Sequence, residues 1–410
     1  MLPVVALLAV AQPTAEPAAT PAPPPAPAAE RETRFRGAPR LGSTDGWSIK
    51  PRGRLQYDVG HVERPAGAVG AGFGSGDALR RARFGVEGTM PGGFGFAVDL
   101  ETAGGNDELT DAYLSWKAAP QATLTLGQQN NFQALEELTS SRFTSFIERA
   151  AFTDAFAFNR RLGLSLAWTR GPVTAQAGLF SGNIQELDEP GGEAPRIDGR
   201  LVYAPRLGDT QLHVAGSLHW RDRSAAAAAA MPLRYRQRPL VSFTDLRFVA
   251  TPSLPVEGEK GFGIEAAMIR GPLHAAAEAH WLNADTTTAG LSPTFFGGYV
   301  ELGWFLTGES RGYRGARWDR TTVRRPIESG RGFGAVQLNL RYDHLDLNSD
   351  GIAGGTQNAF QAGLIWIPTD YVRFLVNYSR IAYDNAAIPA AGGDRDYAID
   401  VVAARAQIDF

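Results

Sequence analysis

The stretch YAIDVVAARAQIDF, residues 397–410, alternates between two faces. Val402, Ala404, Ala406 and Ile408 are apolar, whereas Arg405, Gln407 and Asp409 are polar and Ala403 is small. A period of two over this length is a strand with one apolar and one wet face. Chain ends fray unless something ties them down. A strand that runs to the last residue, Phe410, therefore suggests a sheet that needs it, and a closed barrel would. Lipid tolerates no unsatisfied backbone edge, so in a membrane the sheet has to close on this strand.

The same alternation recurs from about Trp47 onward. In residues 371–380, Val372, Phe374, Val376 and Tyr378 oppose Arg373, Asn377 and Ser379. In residues 332–344, Val336, Leu338, Leu340 and Tyr342 oppose Gln337, Asn339, Arg341 and Asp343. Short turn signals punctuate the strands: MPGG at 90–93, AAPQ at 118–121, TRGP at 169–172, PRLGD at 205–209, IRGP at 269–272 and IPTD at 367–370. Longer polar breaks lie between them, as at 347–357 and 385–396. Short turns alternating with long loops are how outer-membrane barrels are built. Roughly 365 residues at roughly 20–25 per strand and connection give about 16 strands. Alternation alone also suits a soluble sandwich; the number of successive hairpins, the terminal strand and the leader favour an all-β, transmembrane antiparallel barrel with infolded loops. Phe410 would then sit near a membrane interface, where aromatic rings are favoured.

Residues 2–12, LPVVALLAVAQ, form an apolar run too short to span a bilayer as a helix, and 1–12 is expected to be a signal peptide. Residues 13–46 open with a Pro/Ala-rich tract that reads as an extended linker, which places the barrel at 47–410. A net charge of −3 and a pI near 6.1 give no reason to expect nucleic acid. The absence of cysteine excludes disulfides and thiolate metal sites. Lys50, Lys117 and Lys260 are the only lysines, and the other 37 basic residues are arginine. A genomic bias against lysine explains this; arginine-lined anion chemistry is the sharper reading.

Two segments break the pattern. Residues 131–161 do not alternate, and the spacing of Leu135, Leu138, Phe143 and Phe146 suggests helical turns inside a long loop. The preferred reading is an inward-folded constriction loop; a surface lid or a subunit-contact loop is the alternative. Residues 224–248 contain a six-alanine run followed by Arg234, Arg236 and Arg238. At spacing two an extended chain puts these guanidinium groups on one face, about 7 Å apart, where they repel and need water or anions. Arg80, Arg81 and Arg83 form a second cluster, with Arg81 and Arg83 on one face. The bland reading of both is wall arginines paired to carboxylates across the lumen. No enzyme constellation stands out. The six histidines are scattered, with no metal-binding pair on a helix, and no cofactor is expected.

RRARFGVEGTM at 80–90, LEELTSSRFTSFIERA at 135–150, GGYVELGWFLTGESRGY at 297–313 and residues 357–381 resemble the phosphate-selective porins O and P. The resemblance extends over nearly everything from Trp47 to Phe410. It implies a homotrimeric, 16-stranded porin of a Gram-negative outer membrane, with infolded loops around a narrow anion channel. Its partners would be lipid, lipopolysaccharide, small anions including phosphate or polyphosphate, and the assembly machinery that reads Phe410. It brings Arg234, Arg236 and Arg238 to the family's arginine ladder and Arg80, Arg81 and Arg83 into the lumen. It sets Arg142 where relatives carry a lysine in the constriction loop. With so few lysines, the family's deeper lysine group is absent or replaced by arginine. Alternatives are a porin for sugars or acidic solutes, with Tyr299, Trp304 and Phe305 lining the constriction, and a structural barrel plugged by its loops.

Overall fold

A computed structural model describes residue 38 and residues 40–410, apart from 106 and 331. The expected signal peptide, 1–12, and most of the expected linker, 13–46, lie outside the described residues. Alternation in the sequence becomes a wall whose apolar face points outward. Leu338, Leu340, Phe374, Val376, Val402 and Ile408 are exposed, while Asn339, Arg341, Asn377, Arg405, Gln407 and Asp409 are buried. A soluble sandwich would show the opposite. The apolar exterior suits lipid, and the polar residues satisfy one another in the lumen.

Sixteen strands make the wall among the described residues. The first eight are β1 Ser48–Val62, β2 Gly74–Met90, β3 Phe94–Glu101, β4 Glu108–Ala119, β5 Ala122–Gln129, β6 Arg161–Arg170, β7 Val173–Phe180 and β8 Arg196–Tyr203. The others are β9 Thr210–Asp222, β10 Val256–Arg270, β11 Leu273–Thr286, β12 Thr294–Phe305, β13 Ala335–Ser349, β14 Ile352–Thr369, β15 Val372–Asp384 and β16 Tyr397–Asp409. Each pairs antiparallel with its neighbours, and β16 closes on β1 from Arg54↔Asp409 to Val62↔Val401. Phe410 completes the seam. Its N–H donates to the Gly53 carbonyl and its own carbonyl accepts from Gly53 N–H, each at 3.1 Å. A Cβ at Gly53 would stand 2.3 Å from the Phe410 ring, so only glycine lets the ring lie there.

Aromatic residues band the exterior at two heights. Near the rim of short turns, Phe94 stacks on Trp116 at 6.0 Å, and Trp366 lies 5.5 Å from both Phe333 and Phe374. Toward the other rim, Trp281 contacts Phe262 and Phe296, and Tyr342 contacts Phe360.

The loops depart from the expected sidedness in two places. Residues 347–357 are not a long loop: β13 and β14 extend through them and leave a tight turn at Asp350–Gly351, where both residues have positive φ. Conversely, residues 306–334, between β12 and β13, form a long connection at the rim of short turns. Polar, glycine-rich composition marks the first as a break although its backbone still pairs. No period distinguishes the second from a strand-flanking turn.

Residues 130–160 and the part of 306–334 around Arg311–Arg320 fold into the lumen, whereas Phe333 lies on the exterior. Residues 130–160 carry two short helices, α1 Leu135–Leu138 and α2 Ala151–Ala155; the expected helical spacing holds at Leu135 and Leu138, whereas Phe143 and Phe146 lie in turns and α2 is not indicated by it. The Glu278 carboxylate accepts the Leu135 and Glu136 N–H groups at 2.8 and 2.7 Å. Arg341 donates to Glu136 at 2.9 Å and to Glu301 at 3.2 Å. Its guanidinium lies between the rings of Phe146 and Tyr299, at 4.6 and 4.5 Å. Asp343 accepts from Ala151 N–H, and Gln133 donates to Asp198. From the opposite rim, Arg311 donates to Ser145 Oγ and to the Phe143 carbonyl, each at 2.7 Å. The two loops therefore meet inside the barrel.

Replacing Arg341 by Met leaves Glu136 and Glu301 buried without their shared cation, which costs about 3–5 kcal/mol for a buried pair. The expected outcome is a lower temperature for the gel-mobility shift of the folded barrel, and larger, noisier conductance steps from a loosened loop. Unchanged heat resistance and conductance would show that Arg341 does not hold the loop.

Candidate functional site

Two cavities lie end to end along the lumen beside the infolded loops. One, of about 520 Å³, faces the rim of short turns; the other, of about 430 Å³, faces the rim of long loops. Arg81, Arg83, Glu137, Arg149 and Arg160 line both. The cavities thus abut at an eyelet of four guanidinium groups and one carboxylate.

Each member has a local reason for its position. Gln56 pairs with Arg81 and Tyr57 with Leu79, so a β-bulge leaves Arg80 as the extra residue in β2. Strict alternation would send Arg80 outward; the bulge brings Arg80, Arg81 and Arg83 all to the lumen. Arg80 grips Glu148 of the loop at 2.8 and 3.1 Å. Arg83 pairs with Glu101 at 3.3 Å. Arg160, at the head of β6, pairs with Asp111 at 2.6 Å. Arg149 closes its own loop by donating to the carbonyls of Glu136 and Thr139, at 2.9 and 2.7 Å, and stands 3.4 Å from Glu137. Arg81 donates to Gln56 Oε1 at 2.9 Å and has no ion pair among the described residues. It is the eyelet's uncommitted charge.

The loop carboxylates respond in opposite directions. Burial raises the Glu137 carboxyl above its ordinary value against the pull of Arg149. Burial would raise Glu148 too, but Arg80, with Arg405 and Arg81, holds it well below the usual carboxylate range.

The remaining expected residues are spread along the path. Arg142 lines the inner cavity, with its guanidinium over the Phe143 ring at 5.1 Å and 3.2 Å from Ser140 Oγ. Arg234, Arg236 and Arg238 belong to the loop 223–255, in an extended run where only Arg236–Gln237 pairs, with Val249–Ala250. Tyr235 and Gln237 are buried while the arginines share the open face, so the spacing argument holds without a wall strand. Arg238 lines the outer cavity and lies near Asp154 and Asp245. Arg234 donates to the Thr251 carbonyl, and Arg236 has no side-chain partner among the described residues. The alanine run forms the short helix α3 Ala225–Ala230 in the same loop.

Sequence reading missed Arg149 and Arg160 as eyelet residues, and the inner-cavity arginines Arg52 and Arg54. Arg149 and Arg160 lie within the segment singled out as non-alternating, but nothing in the one-dimensional pattern says which loop residues reach the centre. The aromatics considered for a sugar site are placed elsewhere. Trp304 faces outward, and Tyr299 and Phe305 are sealed behind the loop, so none lines either cavity. His213 braces an infolded segment, its Nδ1 2.7 Å from Tyr313 Oη, whereas His219 Nδ1 is 2.7 Å from Asp198 on the neighbouring wall strand β8.

Known proteins share this architecture. A structure titled as an anion-selective porin from Comamonas acidovorans superposes with a TM-score of 0.57 at 12% identity, covering 89% of this chain and all of that one. OmpT of Vibrio cholerae does so at 0.57 and 11% identity, covering 91% and 100%. In sequence, Porin O of Pseudomonas aeruginosa is 25% identical over 88% of this chain and 89% of its own length. An uncharacterised protein of Caulobacter vibrioides is 46% identical over 93% of this chain and 78% of its own. The family profile described as phosphate-selective porin O and P matches residues 49–410. With a closed 16-stranded barrel and a match over most of its length, the chain belongs to the phosphate-selective porin O and P family, as a multi-pass protein of the outer membrane.

Proposed function

We propose that this porin passes small anions, phosphate among them, by passive diffusion. The observation that carries the reading is the eyelet, where four arginines face one glutamate and Arg81 is uncommitted. A guanidinium fork matches the oxygens of phosphate or carboxylate, so arginine alone can make such a path in a chain with three lysines. Arg234, Arg236 and Arg238 stand outside the eyelet as a capture row, and Arg142 lies beyond it. The names of the Comamonas structure and the Pseudomonas relative agree with this reading.

Six adjoining strands, β3–β8, have only 8–12 residues against 12–18 elsewhere. Eight residues at about 3.3 Å and a 45° tilt rise about 19 Å, short of the ~25 Å apolar band. That low wall is the proposed contact of a homotrimer. A monomer by light scattering, in detergent that preserves the fold, would contradict it.

Substituting Arg81 by Gln removes about 0.7 kcal/mol of attraction for an anion ~6 Å away in a water-like dielectric. The chloride-over-potassium permeability ratio in planar bilayers should fall about threefold. Arg236→Ala should lower anion conductance only at low salt, because screening within about 8 Å at physiological salt hides an outer charge. Unaltered selectivity in a folded Arg81→Gln porin would defeat the eyelet reading. Electrical silence of the wild-type protein would favour the plugged structural barrel.

The raised Glu137 carboxyl adds a pH dependence. As pH falls through its folded value, which lies above the ordinary one, Glu137 takes up a proton and the eyelet gains positive charge. Anion selectivity should therefore rise in mild acid, and Glu137→Gln should show the raised selectivity at neutral pH without further change on acidification. Equal pH profiles for the two proteins would exclude Glu137 as the responsible group.

A further inference from the structure

A third cavity, of about 260 Å³, lies between the loops 181–195 and 223–255. It shares Asn159, Arg160, Asn183 and Glu186 with the outer cavity, and Arg160 alone with the inner one, so it is a side chamber of the vestibule. Five further arginines line it. Arg161 is paired with Asp198 at 2.7 Å and Arg221 with Glu259 at 3.0 Å. Arg223 donates to the carbonyls of Val256 and Met231 at 2.9 and 2.7 Å, and Arg234 to Thr251.

Arg196 is different. It is 6% exposed, its backbone pairs with Phe180 and Arg221, and its side chain has neither an ion pair nor a hydrogen bond among the described residues. Its Nη1 is sealed from solvent without a partner, as are Nε of Arg221 and Nε of Arg223. In the sheet Arg196 stands directly opposite Arg221, the arrangement in which like charges repel most. Three carboxylates face the chamber. Glu259 is committed to Arg221 and to the Tyr235 hydroxyl at 2.7 Å, and Glu186 and Glu189 are exposed at its edge with no ion pair to an arginine among the described residues. A buried guanidinium with no carboxylate in direct contact, set against a second one, is strongly unfavourable unless an anion neutralises it.

We infer that the side chamber binds a small tetrahedral oxyanion or carboxylate on the Arg196 guanidinium, off the permeation path. Such an anion would bridge the β8–β9 wall to the two loops above it and hold the vestibule open in shape. The binding group is separate from the eyelet, because Arg196 lines neither of the two abutting cavities and Arg160 is the one eyelet residue that also borders the chamber.

The test is anomalous diffraction from crystals of the full porin soaked in arsenate, beside a phosphate titration of its heat-modifiability midpoint at constant ionic strength. The expected result is an arsenic peak about 4 Å from the Arg196 guanidinium carbon, consistent with ordinary hydrogen bonds. Phosphate should raise the wild-type midpoint, and Arg196→Gln should lose the chamber peak and at least half of that rise while keeping wild-type chloride selectivity. A wild-type crystal with no chamber peak overturns the inference, whatever the eyelet shows. So does a chamber peak that persists in Arg196→Gln, or one unaccompanied by phosphate stabilisation, which would mark an adventitious ion only. Should Arg196→Gln fail to assemble, Arg196→Lys, which keeps the charge without the fork, should retain a weaker peak; an undiminished one would overturn the fork's role.

Discussion

Backbone hydrogen bonding across the β16–β1 seam is the constraint on which everything else depends. Lipid cannot satisfy a free strand edge, so the first and last strands have to find each other across the whole sequence. They do so in one register, from Val62↔Val401 to Arg54↔Asp409. A slip by one residue would turn Arg405, Gln407 and Asp409 into lipid and Val402 and Ile408 into the lumen. At the end of that register Gly53, without a side chain, leaves room for the Phe410 ring to lie across it.

Closure leaves a polar interior, and the interior does two jobs with one set of residues. On the β11–β13 side, Glu278, Glu301, Arg341 and Asp343 are spent on pinning the loop 130–160. On the β1–β5 side, charged residues border open space. The asymmetry follows from how fully each arginine is matched. Arg341 is shared by two carboxylates and stacked between two rings, so it is structural. Arg81 meets only an amide oxygen, so its charge is left unmatched among the described residues.

The architecture was legible because a strand's period is short and local. Phe374, Val376 and Tyr378 against Arg373, Asn377 and Ser379 declare their faces within a few residues, and the strand count follows from repetition. Which face met lipid was not legible from alternation, since the pattern is symmetric under exchange of inside and outside. The candidate site was legible in part. Arg81 and Arg83 follow from parity, whereas Arg80 reaches the lumen through a bulge that breaks parity, and Arg149 and Arg160 depend on the path of a loop. The segment 306–334 escaped notice because its course is fixed by distant partners, Ser145 and Phe143, rather than by its own neighbours.

The anchors of the loop 130–160 carry a consequence for the order of events in assembly. Its partners lie far ahead in the chain: Glu278 is 143 residues from Leu135, Arg341 is 205 from Glu136, and Asn377 is 230 from Ile147. Contacts of such sequence separation form late, after the entropy of closing the intervening chain has been lost. The clasp between Arg311 and this loop joins two connections that enter from opposite rims, so it too has to wait for both to be inside. The wall is therefore expected to form before the loop docks, so that a nascent barrel is wider than the finished one.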